Sequence, residues 1–316
     1  MRRSAMKMTS APWRRVRWVS LYLFLLVEAC APAPAPSAIT PAASGPTQAE
    51  TITAYHGHTS TVFVVAWSPD GTRIASGGND STVQVWDARR GHRLVLYTGH
   101  TGTVYTLAWS PDGTRIASGS DDSTVQVWDA KSGRRLLTYR GHTAGVRALA
   151  WSPDGTRIVS GGNDNTIQIW NATAGQRLVT YTGHLDSVWA VAWSPDGAHI
   201  ASASQDETVQ VWNAASGRHL LTYRGQAAAV WAVAWSPSGV CVATATGNTS
   251  DEHPMETVQV WKAMTGHLLI SDPVPSSAGE ASGTLSVAWS PDGTRLAWGG
   301  ADTIVHLWNA PSFCRR

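Results

Sequence analysis

Residues 99–129 read GHTGTVYTLAWSPDGTRIASGSDDSTVQVWD, and this stretch decides the fold because it recurs along the chain with few changes. Gly-His pairs stand at 57–58, 99–100, 141–142 and 183–184, spaced by 42 throughout, and Trp-Ser-Pro follows ten residues after each glycine at Trp67, Trp109, Trp151 and Trp193. A second tryptophan comes 19 residues later, at Trp86, Trp128, Trp170 and Trp212. Two further copies carry lesions: Trp235 pairs with Trp261 across a seven-residue insertion, and Trp289 pairs with Trp308 at the standard spacing. Twelve of the 17 tryptophans are thereby placed, which explains why a chain with only 3 Phe is so rich in Trp. A fixed period of this length marks one supersecondary unit stacked many times.

Within one copy, Val62 to Trp67, Thr72 to Ser76, Thr82 to Trp86 and Arg93 to Tyr97 are short β-branched and apolar runs bounded by Ser-Pro-Asp-Gly and Gly-Asn-Asp-Ser turns. Proline presets the second turn position and glycine supplies the positive φ that closes the hairpin. The pattern predicts an all-β fold, a six-bladed β-propeller of four-stranded antiparallel blades over residues 49–316. After Trp308 too little sequence follows for a fourth strand, whereas Thr51-Ile-Thr-Ala-Tyr55 stands in the register that Leu220-Leu-Thr-Tyr223 holds before Gly225. This N-terminal strand is expected to close the last blade and with it the ring, leaving no exposed edge.

The first fifty residues differ in kind. Arg2, Arg3, Lys7, Arg14, Arg15 and Arg17 precede an apolar run from Val19 to Val27. A bilayer-spanning helix needs about 20 apolar residues, so residues 1–29 fit a secretory signal peptide better. Ala29-Cys30 is similar to the end of a bacterial lipoprotein signal, which implies lipidation at Cys30, although Glu28 departs from that pattern; plain secretion and an uncleaved anchor stay open. Residues 30–48 are rich in Pro and Ala and read as a semi-rigid tether. The expected location is the cell envelope, on a membrane through the anchor, or otherwise outside the cell.

The chain carries a formal net charge of +2, but the basic leader supplies it and the remainder is net negative. That excludes nucleic acid as an expected partner. Cys30, Cys241 and Cys314 read as too few and too scattered for a disulfide framework or a zinc site, and no metal or cofactor is expected.

The units running from Gly-His to Trp-Asp resemble the WD-repeat family, with Asp at Asp87 and Asp129 and drift to Asn171, Asn213, Lys262 and Asn309 elsewhere. Each standard copy holds a triad-like set: His58, Ser76 and Asp80; His100, Ser118 and Asp122; His142, Ser160 and Asp164; His184, Ser202 and Asp206. Four complete sets at blade intervals argue for structure, since a hydrolase needs one. The resemblance implies a buried hydrogen-bond network that joins these residues to Trp86, Trp128, Trp170 and Trp212. Blade five has Gln226 for His, Thr244 for Ser and Met255 for Asp, and blade six has Gly279-Glu280 for Gly-His and Trp298 for Ser, so both are expected to be soft. The insertion that holds Asp251, Glu252, His253 and Glu256 reads as a solvated loop.

Positions that the blade does not need are free to differ between copies. The residue after the leading valine of the first strand, or after Thr284 in the sixth copy, is Phe63, Tyr105, Arg147, Trp189, Trp231 and Leu285 in turn. The resemblance implies that this position lies at the mouth of the ring on the Gly-His face, where partners are contacted, and aromatics and Arg are enriched in binding hot spots. Asn79, Asp121, Asn163 and Gln205 would complete a polar rim. Packing between blades is the competing account of the aromatics. The expected function is a non-catalytic platform for a protein or peptide; a glycan or small-ligand sensor and a propeller hydrolase or lyase are the alternatives.

Overall fold

Ser-Pro-Asp-Gly folds the chain back at each first hairpin, with Gly71, Gly113, Gly155, Gly197 and Gly293 at φ between 65° and 67°, a region open to glycine at little steric cost. The computed structural model describes residues 24–25, 54–226, 228–247, 256–274, 284–300 and 304–315 and resolves them into six sheets in chain order. Blade one comprises Val62–Trp67, Arg73–Gly78, Val83–Asp87 and Arg93–Tyr97, and blades two to five repeat this antiparallel order. Blade six shows three strands among the described residues: Thr284–Trp289, Arg295–Gly300 and Val305–Asn309. A two-residue strand, Phe24–Leu25, also runs parallel to the first strand of blade one, opposite Val64 and Val65. The first strands of successive blades pack on one another around the centre.

Blades are joined by a repeated clasp. The indole N–H of the tryptophan ending each first strand donates to an alanine carbonyl one blade back: Trp109 to Ala66, Trp151 to Ala108, Trp193 to Ala150, Trp235 to Ala192 and Trp289 to Ala234, at 3.1–3.2 Å. These five rings are at most 8% exposed. Each such bond contributes about 1 kcal/mol, and the buried ring adds its transfer energy. The second strand of the preceding blade covers the ring from below, with Arg73, Arg115 and Arg157 lying 4.6–4.7 Å from the centroids of Trp109, Trp151 and Trp193. Trp67 of blade one is 52% exposed and makes no such bond among the described residues.

A second clasp joins each outer strand to the next blade. Tyr97, Tyr139, Tyr181 and Tyr223 stack on Trp128, Trp170, Trp212 and Trp261 at 4.5–5.1 Å, and their hydroxyls donate to Gln126, Gln168, Gln210 and Gln259. Tyr55 does the same to blade one, 5.2 Å from Trp86 and 2.7 Å from Gln84. It therefore holds the place of a residue ending the outer strand of a preceding blade. Residues 51–53 of the expected closing strand lie outside the described residues, as do Cys30, the tether and all of the signal except Phe24–Leu25.

The reading of the cysteines is corrected. Cys241 and Cys314 form a disulfide with Cα atoms 5.5 Å apart across 73 residues, both fully buried. Cys241 occupies the position of the clasp arginines Arg73, Arg115 and Arg157, so at the seam between blades five and six a covalent bond to the C-terminal turn Ser312–Cys314 takes their place. Ser238 Oγ donates to the Cys314 carbonyl at 2.9 Å, and the Lys262 ammonium sits 4.1 Å from the Phe313 ring centroid. Distance in sequence hid the pair, because the partners meet only once the sixth sheet has packed.

Replacing Cys314 by Ala is expected to cost about 2–4 kcal/mol, read as a lower Tm. A thiol reductant should bring the parent protein down to the same Tm and leave the variant unmoved. An equal Tm in parent and variant without reductant would count against the staple.

Candidate functional site

The triad-like sets are assembled in all four standard blades. His58, His100, His142 and His184 each place Nδ1 2.8–2.9 Å from the carboxylate of Asp80, Asp122, Asp164 or Asp206. Their Nε2 atoms lie 2.7–2.8 Å from the hydroxyls of Ser76, Ser118, Ser160 and Ser202. The same aspartates accept the backbone N–H of Thr59, Thr101, Thr143 and Leu185, which ties the Gly-His loop to the turn between second and third strands. Ser118, Ser160 and Ser202 are fully buried and Ser76 nearly so. A nucleophile must meet its substrate, and these cannot.

The indole joins by hydrogen bond in blade three, where Trp170 Nε1 donates to Ser160 at 3.2 Å. Trp86, Trp128 and Trp212 have no hydrogen-bond partner for Nε1 among the described residues, and stacking by tyrosine holds them instead. Blade five keeps a substitute network in which Gln226 donates to Thr244 at 2.6 Å and Thr257 approaches Gln226 at 3.5 Å. In blade six, Trp298 stacks on His306 with centroids 3.7 Å apart. Met255, the acidic insertion residues Asp251 and Glu252 with His253, and Gly279-Glu280 lie outside the described residues.

Glycine precedes each histidine for a steric reason. A Cβ on Gly99 would run into the Tyr97 hydroxyl and the Gln126 amide, Gly57 and Gly141 meet the corresponding pair, and Gly183 and Gly225 meet the tyrosine. The glutamine amide closes the arrangement by donating to that glycine's carbonyl at 3.0–3.1 Å.

The variable positions share one backbone feature. In every first strand the register slips at the second residue: Val62 faces Gly78 and Val64 faces Gly77, leaving Phe63 as the extra residue of a β-bulge. Tyr105, Arg147, Trp189, Trp231 and Leu285 sit at the same bulge in their blades. A bulged residue escapes the alternation of the pleat and is re-aimed, so its identity is not dictated by the sheet.

Five of these side chains form a continuous arc. Phe63 and Tyr105 rings lie 5.3 Å apart, the Arg147 guanidinium lies 3.7 Å from Tyr105 and 5.4 Å from Trp189, and Trp189 stacks on Trp231 at 4.8 Å. The first four are half-buried, whereas Trp231 is 4% exposed and donates to the Gly247 carbonyl at 2.9 Å. Trp231 is thus a wall behind the arc, and the Leu285 side chain lies outside the described residues. Asn163 accepts Arg147 Nε at 3.1 Å and Asp121 lies 3.9 Å from the same guanidinium. Asn79 bridges Ser60 and Thr103, and Gln205 is exposed. Phe63, Tyr105 and Trp189 thus pack on their neighbours while remaining partly exposed.

Comparison with known proteins agrees with this geometry. Residues 145–312 match the family model described as the IFT122 first beta-propeller, and residues 49–87 and 91–129 match the WD domain, G-beta repeat. WD repeat-containing protein slp1 of Schizosaccharomyces pombe is 61% identical over 33 residues, 10% of this chain and 7% of that protein. Protein Mut11 of Chlamydomonas reinhardtii is 46% identical over 63 residues, 20% of this chain and 17% of that protein. The matched segments span less than a fifth of either relative.

Burial alone would raise the Asp164 carboxyl, but hydrogen bonds from His142, Thr143 and Thr166 outweigh it and hold the pKa at about 2. The same causes push Asp122 and Asp206 well below the usual range. A depressed carboxylate contributes stability in full above its unfolded value near pH 4 and loses it as pH falls through the folded value. Tm is therefore expected to stay level above about pH 4 on account of these groups and to fall toward pH 2, with Asp164→Asn less stable at neutral pH and less sensitive to acid. Parallel Tm curves for parent and variant down to that pH would contradict the network.

Proposed function

The chain belongs to the WD-repeat β-propeller family, and we propose that it is a non-catalytic platform that holds a protein or peptide segment on its Gly-His face. The arc from Phe63 to Trp189 carries this reading, because it gathers the residue types of binding hot spots at bulges the fold leaves unconstrained. Arg147 keeps its guanidinium flat between two rings and fixed by Asn163, which lowers the ordering cost of binding. The Trp189 ring is covered by Trp231 and approached by Arg147. Stacking of a sugar there would have to displace one of them, which favours a peptide over a glycan.

The envelope is the proposed location. A buried disulfide suits an oxidising compartment, and the leader ending at Cys30 reads as an export signal with a lipid anchor. The ring is proposed to close through residues 51–55, with Tyr55 supplying the clasp onto blade one and the strand covering the outer edge of blade six.

Arg147→Ala and Trp189→Ala are each expected to weaken a partner recovered from envelope extracts and then purified by about tenfold or more, with Asp121→Ala weaker in effect. The check is titration of that partner against each variant. Unchanged affinity in both variants, with folding retained, would remove the rim from the binding site.

A further inference from the structure

The turns between third and fourth strands lie at the opposite end of the blades from Gly-His, where Ala88 N–H donates to the Thr72 carbonyl. In blade one this turn exposes Arg89 and Arg90, and in the next blade Lys131, at the place of Arg89, and Arg134, at the place of His92, are exposed. Each following outer strand opens with an arginine and a leucine, and Leu94, Leu136 and Leu178 are 46%, 41% and 49% exposed. These features form one band because each turn seats on the outer strand of the blade before it: a Cβ on Gly133 would strike Val95, and one on Gly175 would strike Leu137. Asp87 and Asp129 in the band direct Oδ1 to the backbone N–H groups of their own turns, and the exposed Asp70, Asp112 and Asp154 of the first hairpins lie at the same end of the blades, where the basic side chains outnumber the acids. On the Gly-His side, Asp121 lies 3.9 Å from the Arg147 guanidinium.

We infer that this basic, leucine-studded edge of blades one to three is a docking surface for an anionic lipid bilayer, which holds the ring with its Gly-His face turned away from the membrane. Cations near such a surface are attracted within about one Debye length, and leucines between them enter the interfacial layer. A nucleic-acid backbone offers no apolar layer for the leucines, whereas a bilayer does. The inference rests on the proposed envelope location only for the presence of a membrane. It requires no acyl chain at Cys30, and its failure would leave the peptide rim untouched.

The test uses the full chain with Cys30→Ser and vesicles of phosphatidylcholine alone or mixed equally with phosphatidylglycerol. Partition is expected to be stronger into the anionic vesicles, to fall with salt, and to drop about fivefold for each of Arg89, Arg90, Lys131 and Arg134 replaced by Gln. Because the basic, apolar leader also binds vesicles, a second readout locates the ring. A fluorophore on Leu136→Cys should be quenched by a lipid-borne quencher, and one on Asn79→Cys should not. Equal partition of parent and Gln variants, equal quenching at both sites, or displacement of the chain from vesicles by duplex DNA would overturn the inference.

Discussion

The indole of each first-strand tryptophan, bonded to an alanine carbonyl one blade back, is the contact on which the ring depends. It spans two sheets that share no backbone ladder, so it converts independent hairpin stacks into a single body. Five such bonds are made among the described blades, and the remaining counterpart, Trp67, is largely exposed. The tyrosine clasp works beside it at larger radius and does include blade one, through Tyr55. Inner and outer fastenings therefore differ at two places among the described residues: Trp67 lacks the indole bond, and Trp308 of blade six meets Trp298 in place of a tyrosine.

The bulge at the second residue of every first strand separates the needs of the fold from those of recognition. The residue before it, such as Val104, is valine in five of the six blades, while Tyr105 is half-buried and differs from its counterparts. A change at the bulge leaves the ladder intact, so the six copies carry five different residue types there. Loss of a network aspartate, by contrast, orphans a buried histidine at a cost of about 1–3 kcal/mol. Recognition and stability are thus carried by different atoms a few residues apart.

Blade boundaries, turn types and the four His-Ser-Asp sets were legible in the sequence because each repeats at a period of 42. The tyrosine clasp was equally legible in principle: Tyr97, Tyr139, Tyr181 and Tyr223 stand two residues before the next glycine, and Gln84, Gln126, Gln168 and Gln210 two before a tryptophan. A stack between blades has no signature within one blade, which is why those repeats carried no meaning until the blades were packed. The bulge was visible only as variability. The Cys241–Cys314 bond left no trace, since it occurs once and joins a strand to a turn 73 residues away.

The account makes the seams unequal, and hydrogen exchange followed blade by blade tests that most directly. Amides of the first strands Val104–Trp109, Val146–Trp151 and Val188–Trp193 should exchange last, through opening of the whole ring. Those of Val305–Asn309 should exchange first, through local opening at the seam. Equal protection across all six blades, or earliest exchange in blades two to four, would contradict the claim that the inter-blade indole clasp holds the ring together.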